Sequence, residues 1–351
     1  MAETGPPVWA TPRPGHVTVI LTVLKDPRTA RTLESLLAQT RKPEEILVAD
    51  GGGTDTVRRI TASFSARDAS VKHLDAPGNI PESRNRALKL AEGEFIAFLD
   101  ADEVAPPQWL SELLRPFEDA QVGFTGGPTP ATPESRRSVG ARYYDAYLQR
   151  FYDREARFRP YALPMGNSAW RAQVFRQVGL LDSTLFRRAA SEDQEVAVRA
   201  LEAGWKGVYV PEAWVGHDFS DITTRSLLRK QRVYAQGGYV VWRRKGTTYE
   251  ATPGRLLPFL IGPLLAVVGA CLLLDAPSRP LGWGFLGAGA TALGLLALVL
   301  TVQGLREDRR YPGLRWRALE ILRRWATMWG AFRGLLTFGW SGRRAPPGEK
   351  G

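Results

Sequence analysis

The sequence predicts an α/β protein, a sheet flanked by helices, followed by a C-terminal membrane helical hairpin and an amphipathic helix. Three observations carry that expectation. Apolar runs of strand length alternate with helical patterns between residues 16 and 224. Two uncharged apolar runs within residues 256–303 are each long enough to cross a bilayer. Basic residues flank those runs and form a separate stripe beyond them.

The elements follow in order. His16 to Leu24 is a β-branched apolar run of strand length, and Ala30 to Gln39 carries Leu33, Leu36 and Leu37 at helical spacing. Glu45 to Ala49 reads as a second strand, Thr54 to Arg67 as a helix, and Val71 to Leu74 as a third strand. Pro81 to Leu90 is a helix and Phe95 to Leu99 a fourth strand, with a further helical pattern over Val196 to Ala203. Such alternation predicts a parallel sheet covered by helices on both faces, with ligands at the carboxyl ends of its strands.

Leu256 to Leu274 and Leu281 to Gln303, 19 and 23 residues without a charge, read as two membrane spans joined by a turn at residues 275–280. Arg243, Arg244, Lys245 and Arg255 precede the pair, and Arg306, Arg309, Arg310 and Arg315 follow it, so both flanks are expected to be cytoplasmic. Within residues 314–340, Leu314, Ala318, Ile321, Leu322, Trp325, Met328, Trp329, Phe332 and Leu336 recur at three- and four-residue spacing. Arg315, Arg323, Arg324 and Arg333 fall off that stripe, the pattern of an amphipathic helix lying in a membrane interface. Packing against the N-terminal domain is the alternative.

Charge supports this division. Of the 47 Lys and Arg and 36 Asp and Glu, residues 1–224 hold 27 basic and 30 acidic side chains and residues 225–351 hold 20 and 6, so the halves carry −3 and +14. An excess placed beside apolar runs fits an anionic membrane surface better than nucleic acid, which is not expected as a partner. A single Cys excludes an intramolecular disulfide and a Cys-based metal cluster. Met1 to Gly15 holds no apolar core segment, so no signal peptide is expected. The expected organisation is a flexible N-terminus over 1–15, a cytoplasmic domain over 16–245, a multi-pass membrane pair over 256–303, the amphipathic helix over 314–340, and a flexible tail over 341–351.

Acidic residues gather at predicted strand ends. Asp50 closes the second strand and opens Gly51-Gly52-Gly53, where backbone amides can approach a ligand and the carboxylate can accept from a base or ribose. An ordinary Asp-Gly turn is the alternative. Asp100-Ala101-Asp102 closes the fourth strand, and two carboxylates two apart, with Glu103 adjacent, are hard oxygen donors suited to Mg²⁺ or Mn²⁺ on a diphosphate. Read otherwise, they are a helix N-terminal acidic cluster before Pro106-Pro107. Arg84, early in the helix begun by Asn79-Ile80-Pro81, can face an anion or simply be solvated. Glu192 and Asp193 stand before a helical pattern, where they could cap it or supply a general base.

Taken together, Asp50-Gly-Gly-Gly-Thr-Asp55, Gly78-Asn79 with Ser83-Arg84-Asn85, Gly93 before Phe98-Leu99-Asp100-Ala101-Asp102, Gly166-Asn167-Ser168-Ala169-Trp170-Arg171 and Glu192-Asp193 resemble, in order and spacing over about residues 16–245, the family 2 glycosyltransferases. The resemblance implies a glycosyltransferase A type, Rossmann-like mixed sheet. It also implies inverting transfer of a sugar from a nucleotide-diphosphate donor to an acceptor. By it, donor contacts would come from Thr22, Asp50, Gly51, Arg84, Asp100 and Ala101. The metal, Mn²⁺ or Mg²⁺, would be held by Asp102 with Asp100 and His217, and Asp193 with Glu192 would serve the acceptor as base.

Residues 230–237 read Lys-Gln-Arg-Val-Tyr-Ala-Gln-Gly, without the Gln-x-x-Arg-Trp signature of processive synthases. The membrane segments then favour a lipid-linked acceptor, because confinement to the bilayer surface raises its effective concentration. A polyprenyl-phosphate, a polyprenyl-linked glycan or a glycolipid would serve. The other readings are a chain-building polysaccharide transferase and a non-catalytic nucleotide-sugar-binding membrane protein.

Overall fold

A computed structural model describes residues 9–153, 159–186, 191–245, 257–306 and 313–338. It divides into two compact units, Met1–Ile222 and Thr223–Gly351. Among the described residues the first holds nine strands: β1 (Arg13–Val23), β2 (Glu45–Asp50), β3 (Val71–Asp75), β4 (Gly93–Asp100), β5 (Glu103–Val104), β6 (Val122–Gly126), β7 (Asn167–Arg171), β8 (Lys206–Tyr209) and β9 (Gly216–His217). Its helices are α1 (Thr29–Leu37), α2 (Asp55–Ser65), α3 (Ile80–Leu90), α4 (Trp109–Leu114), α5 (Val139–Phe151), α6 (Ala172–Val178) and α7 (Glu192–Glu202).

Seven strands form one sheet in the order β3-β2-β1-β4-β7-β6-β8, and β5 pairs with β9 in a separate ribbon. The first four are parallel, as the alternation predicts. β7 runs antiparallel to both neighbours while β6 and β8 pair parallel, so the sheet is mixed, as the resemblance implied, and β7 is the strand that departs from the expectation of a parallel sheet. β7 inserts after a long excursion and needs no right-handed crossover, which frees its direction.

The central strand β1 shows why the sheet is buried on both faces. Val19 and Leu21 pack with Leu33, Leu36, Val57 and Trp109 on one side. Ile20 packs with Phe98, Phe124, Trp170 and Phe175 on the other, following the two-residue alternation of a strand. Helix α3 starts where its sequence dictates. The Asn79 side chain accepts from the Glu82 amide at 2.9 Å and the Glu82 carboxylate accepts from the Asn79 amide at 2.8 Å, a reciprocal cap with Pro81 in the first turn.

Asn167 joins three segments inside the core. Its Oδ1 accepts from Trp109 Nε1 at 2.7 Å, and its Nδ2 donates to the carbonyls of Pro128 at 3.0 Å and Ala213 at 2.8 Å. This member of the resemblance motif is a structural bridge.

The second unit is helical, with α8 (Thr224–Lys245), α9 (Leu257–Leu272), α10 (Arg279–Arg306) and α11 (Leu314–Phe338). α8, included in the 16–245 domain on sequence, clusters with these helices. α9 and α10 meet through glycines: a Cβ on Gly269 would lie 2.7 Å from the Gly282 carbonyl, and one on Gly289 2.7 Å from that of Gly262. Small residues allow this close approach between apolar helices.

Of the two expected spans, α10 is long and apolar enough to cross a bilayer among the described residues. The 16 described residues of α9 rise about 24 Å. α11 packs on α8 through Met328 and Ala331 against Tyr239, while Leu322, Trp329 and Leu336 on its other face are exposed. Residues 1–8, 246–256, 339–340 and the expected tail lie outside the described residues.

The Asn167 bridge predicts that Asn167→Ala, which strands three buried partners, lowers the unfolding free energy by about 3 kcal/mol. Chemical denaturation of the detergent-solubilised protein measures this, and a change below about 1 kcal/mol would show that the bridge is dispensable.

Candidate active site

Parallel pairing brings the carboxyl ends of β1, β2 and β4 level. Thr22 is in register with Ala49 on one side and Asp100 on the other, and Val23 with Asp50. Three of the expected site residues are therefore neighbours because of strand register alone.

Asp50 is fully buried, and its Oδ1 accepts from the amides of Gly52 at 3.0 Å and Gly53 at 2.8 Å. Its Oδ2 lies 3.4 Å from His73 Nε2. The carboxylate thus builds the glycine turn, and the turn's backbone is what faces outward at this strand end. Gly51 is required by space, since a Cβ there would lie 2.7 Å from Ser83 Oγ.

Arg84 lies at the centre of a second cluster, 4% exposed. Its Nη2 donates to Asp100 Oδ1 at 2.9 Å, its Nη1 to Glu192 Oε1 at 3.0 Å, and its Nε to Thr22 Oγ1 at 3.3 Å. Thr22, Arg84, Asp100 and Glu192, expected separately as donor and acceptor residues, form one network. The guanidinium is committed to protein partners on all three nitrogens, so it fixes Asp100 and Glu192 in place. Gly166 presses on the same carboxylate, because a Cβ there would sit 2.4 Å from Asp100 Oδ2. Ala101 is buried between the two acids.

Next to Glu192, Asp193 lies in the first turn of α7, largely buried, with its Oδ1 accepting from the Gln194 amide at 2.8 Å. Burial pushes its pKa above the usual carboxylate range, against the opposing pull of the Gln194 amide and Arg84. Ser191, just before the helix, has φ 68°, a left-handed conformation that is uncommon for Ser and sets how α7 enters.

A third cluster surrounds Asp102. Its Oδ2 is 3.2 Å from His217 Nε2, and His217 Nδ1 is 3.2 Å from Glu103 Oε1. Burial opposes charging of the imidazole, but Asp102 and Glu103 outweigh it and push the His217 pKa up to about 10. Burial raises the Glu103 pKa, with His217 acting in the opposite direction. Arg28 stands beside the same carboxylate, 2.7 Å from Asp26, 3.0 Å from Asp221, and 3.7 Å from both Asp102 and Asp218. Sequence reasoning missed Arg28, Asp26, Asp218 and Asp221, since the cluster joins three loops whose acids look solvated when read singly.

The expected metal set therefore divides, Asp102 pairing with His217 and Asp100 with Arg84. Among the described residues, no group of three or more His, Cys, Asp or Glu is arranged to hold a metal ion. The Asp102 and His217 donors still fit a different kind of site. Neighbouring ligands about 2.1 Å from one octahedral ion sit about 3 Å apart, close to the separation found here, and an ion shared with a diphosphate takes only one or two protein ligands.

The mixed seven-stranded sheet flanked by helices is the glycosyltransferase A type fold that the resemblance implied. Residues 18–178 match the family described as Glycosyl transferase family 2. A glucosyl-dolichyl phosphate glucuronosyltransferase of Haloferax volcanii is 26% identical over 210 residues, covering 56% of this chain and 66% of that protein. A pre-mycofactocin glycosyltransferase of Mycobacterium tuberculosis is 29% identical over 212 residues, covering 58% of this chain and 43% of that protein. The chain thus spans less than two thirds of the length of both relatives. Among solved structures, the mannosyltransferase PcManGT of Pyrobaculum calidifontis, in complex with GDP-Man and Mn²⁺, shares the fold. Its TM-score is 0.56 at 17% identity, over 93% of this chain and 91% of that one.

The Arg84 network predicts that Arg84→Met, which leaves buried Glu192 without its cation, costs about 3–5 kcal/mol of stability. Adding Glu192→Gln to that variant should recover most of the loss, a double-mutant cycle readable by denaturant unfolding. Additive losses in the two single variants would contradict the pairing.

Proposed function

We propose that this protein is an inverting glycosyltransferase that moves a sugar from a nucleotide-diphosphate donor to a lipid-linked acceptor at a membrane surface. The observation that carries the reading is the convergence, at the carboxyl ends of β1, β2 and β4, of the glycine turn, the Arg84-held Asp100 and the Asp102–His217 pair, with Asp193 on the adjoining helix start.

Each group has a task in that reaction. The Gly51–Gly53 turn, its amides held by the Val23 carbonyl and Asp50, offers the nucleoside a side-chain-free backbone surface. Asp102 and His217 would hold a divalent ion, Mn²⁺ or Mg²⁺, which when bound neutralises negative charge developing on the leaving diphosphate. Asp193 takes the proton from the acceptor hydroxyl. Its raised pKa makes it a stronger base than a solvated carboxylate, and Glu192, locked to Arg84, fixes the helix turn that presents it.

The acceptor assignment rests on the second unit and on one relative. Leu264, Val267, Leu281, Trp283, Leu295 and Leu298 on α9 and α10 are exposed, an apolar surface too extensive for water to be its natural solvent. α10 has the length and composition of a span, and the exposed Leu322, Trp329 and Leu336 of α11 are bordered by the exposed Arg315 and Arg333, as at a lipid interface. The Haloferax relative is described as acting with a dolichyl phosphate-linked glucose, an acceptor class confined to a bilayer.

Nucleoside-diphosphate release from a panel of donors, with and without Mn²⁺ and a membrane lipid extract, tests this. Release should need metal and lipid, and Asp193→Asn should lower it about 10³-fold. Because Asp193 must be ionised to act and its pKa is raised, the acid limb of the pH–rate profile should lie above the ordinary carboxylate range. Undiminished turnover in Asp193→Asn would rule out its role as base.

A further inference from the structure

Glu103 follows the strand-end acids in sequence and is 1% exposed. Both of its oxygens are committed: Oε1 is 3.2 Å from His217 Nδ1, and Oε2 accepts from the Asp100 amide at 3.1 Å. Its two oxygens thus already hold the histidine and the Asp100 amide. Its backbone is fixed as well, because β5 pairs with β9 so that Glu103 and His217 lie directly opposite each other, and Thr32 Oγ1 donates to the Glu103 carbonyl at 2.7 Å.

The imidazole has little freedom of its own. The His217 amide donates to the Pro130 carbonyl at 2.8 Å, its carbonyl accepts from the Thr132 amide at 2.9 Å, and Phe219 packs against its ring with centroids 4.6 Å apart. With Nδ1 turned to Glu103, only Nε2 faces Asp102. Imidazole binds a metal through an unprotonated nitrogen, and a carboxylate on one ring nitrogen keeps the proton there while leaving the lone pair on the other.

We propose that Glu103 is a positioning residue of the metal site. It holds the proton on His217 Nδ1 and aims Nε2 at the ion shared with Asp102. On binding, the Nε2 proton leaves to solvent and the Nδ1 proton stays in its hydrogen bond to Glu103. The inference rests on the reading of Asp102 and His217 as metal ligands. It adds that the same carboxylate, through the Asp100 amide, couples the end of β4 to the orientation of the histidine.

Mn²⁺ affinity of the full-length, detergent-solubilised protein, read from the electron paramagnetic resonance signal of free Mn²⁺ in the presence of a nucleoside diphosphate, tests it. Glu103→Gln should weaken binding about 10–100-fold, because a neutral amide either turns its NH2 toward His217 Nδ1 or accepts the Nδ1 proton without the charge that holds it there. In a His217→Ala background the same change should alter affinity less than about twofold, since its effect passes through the histidine. Wild-type affinity in Glu103→Gln, or an equal loss in both backgrounds, would overturn the positioning role while leaving the metal reading intact. Failure of the wild-type protein to bind Mn²⁺ would overturn the metal reading and this inference with it. Should Glu103→Gln not fold, ¹⁵N-histidine NMR of the Mg²⁺-loaded wild type decides. A protonated Nδ1 on His217 supports the proposal, and an unprotonated Nδ1 refutes it.

Discussion

The site depends on how the chain solves the burial of one cation. A guanidinium sequestered from water is tolerated only where carboxylates and hydrogen-bond acceptors surround it. Arg84 finds Asp100 on β4, Glu192 on α7 and Thr22 on β1. Four elements are thereby locked at one corner of the sheet, and two acids that would repel each other are held at defined positions. Asp193 inherits its placement from this lock, since it follows Glu192 in the same helical turn. The close approach of Gly166 to Asp100 belongs to the same arrangement, because any side chain there would displace the carboxylate that Arg84 holds.

Around Asp102 a different balance holds. Asp26, Asp102, Glu103, Asp218 and Asp221 face Arg28 and His217, an acid-rich pocket whose cations come from the loop after β1 and from β9. Arg28 donates to Asp26, and its charge is shared among four carboxylates. Such an excess of hard oxygen donors beside a glycine turn is the electrostatic setting in which a nucleoside diphosphate and a divalent ion bind together.

Much of this was legible in the sequence where interactions are local. The strands β1 to β4 and helices α1 to α3 follow from contiguous patterns, and the Asn79–Glu82 cap is written in three-residue spacing. The second half of the sheet was not, because β7 pairs with β4 across more than 70 residues, Phe95 opposite Arg171, and short strands carry little periodicity. Arg84 reads from sequence as an anion-binding helix arginine, and nothing local reveals that Glu192, 108 residues away, claims it. Asp100 and Asp102 look like one ligand pair, yet β4 ends at Asp100 and the chain turns before β5, so that Asp100 meets Arg84 and Asp102 meets His217. The apolar run beginning at Leu256 suggests a span by composition, and its residues from Leu257 to Leu272 form α9.

The most direct test of the account is an anomalous-scattering map from crystals of the protein grown with Mn²⁺ and a nucleoside diphosphate. A single manganese peak bonded to Asp102 and His217 Nε2, with the diphosphate oxygens on the same ion and the nucleoside over the Gly51–Gly53 turn, is the predicted result. Nucleotide bound elsewhere, or bound here with no manganese at Asp102 and His217, would contradict it.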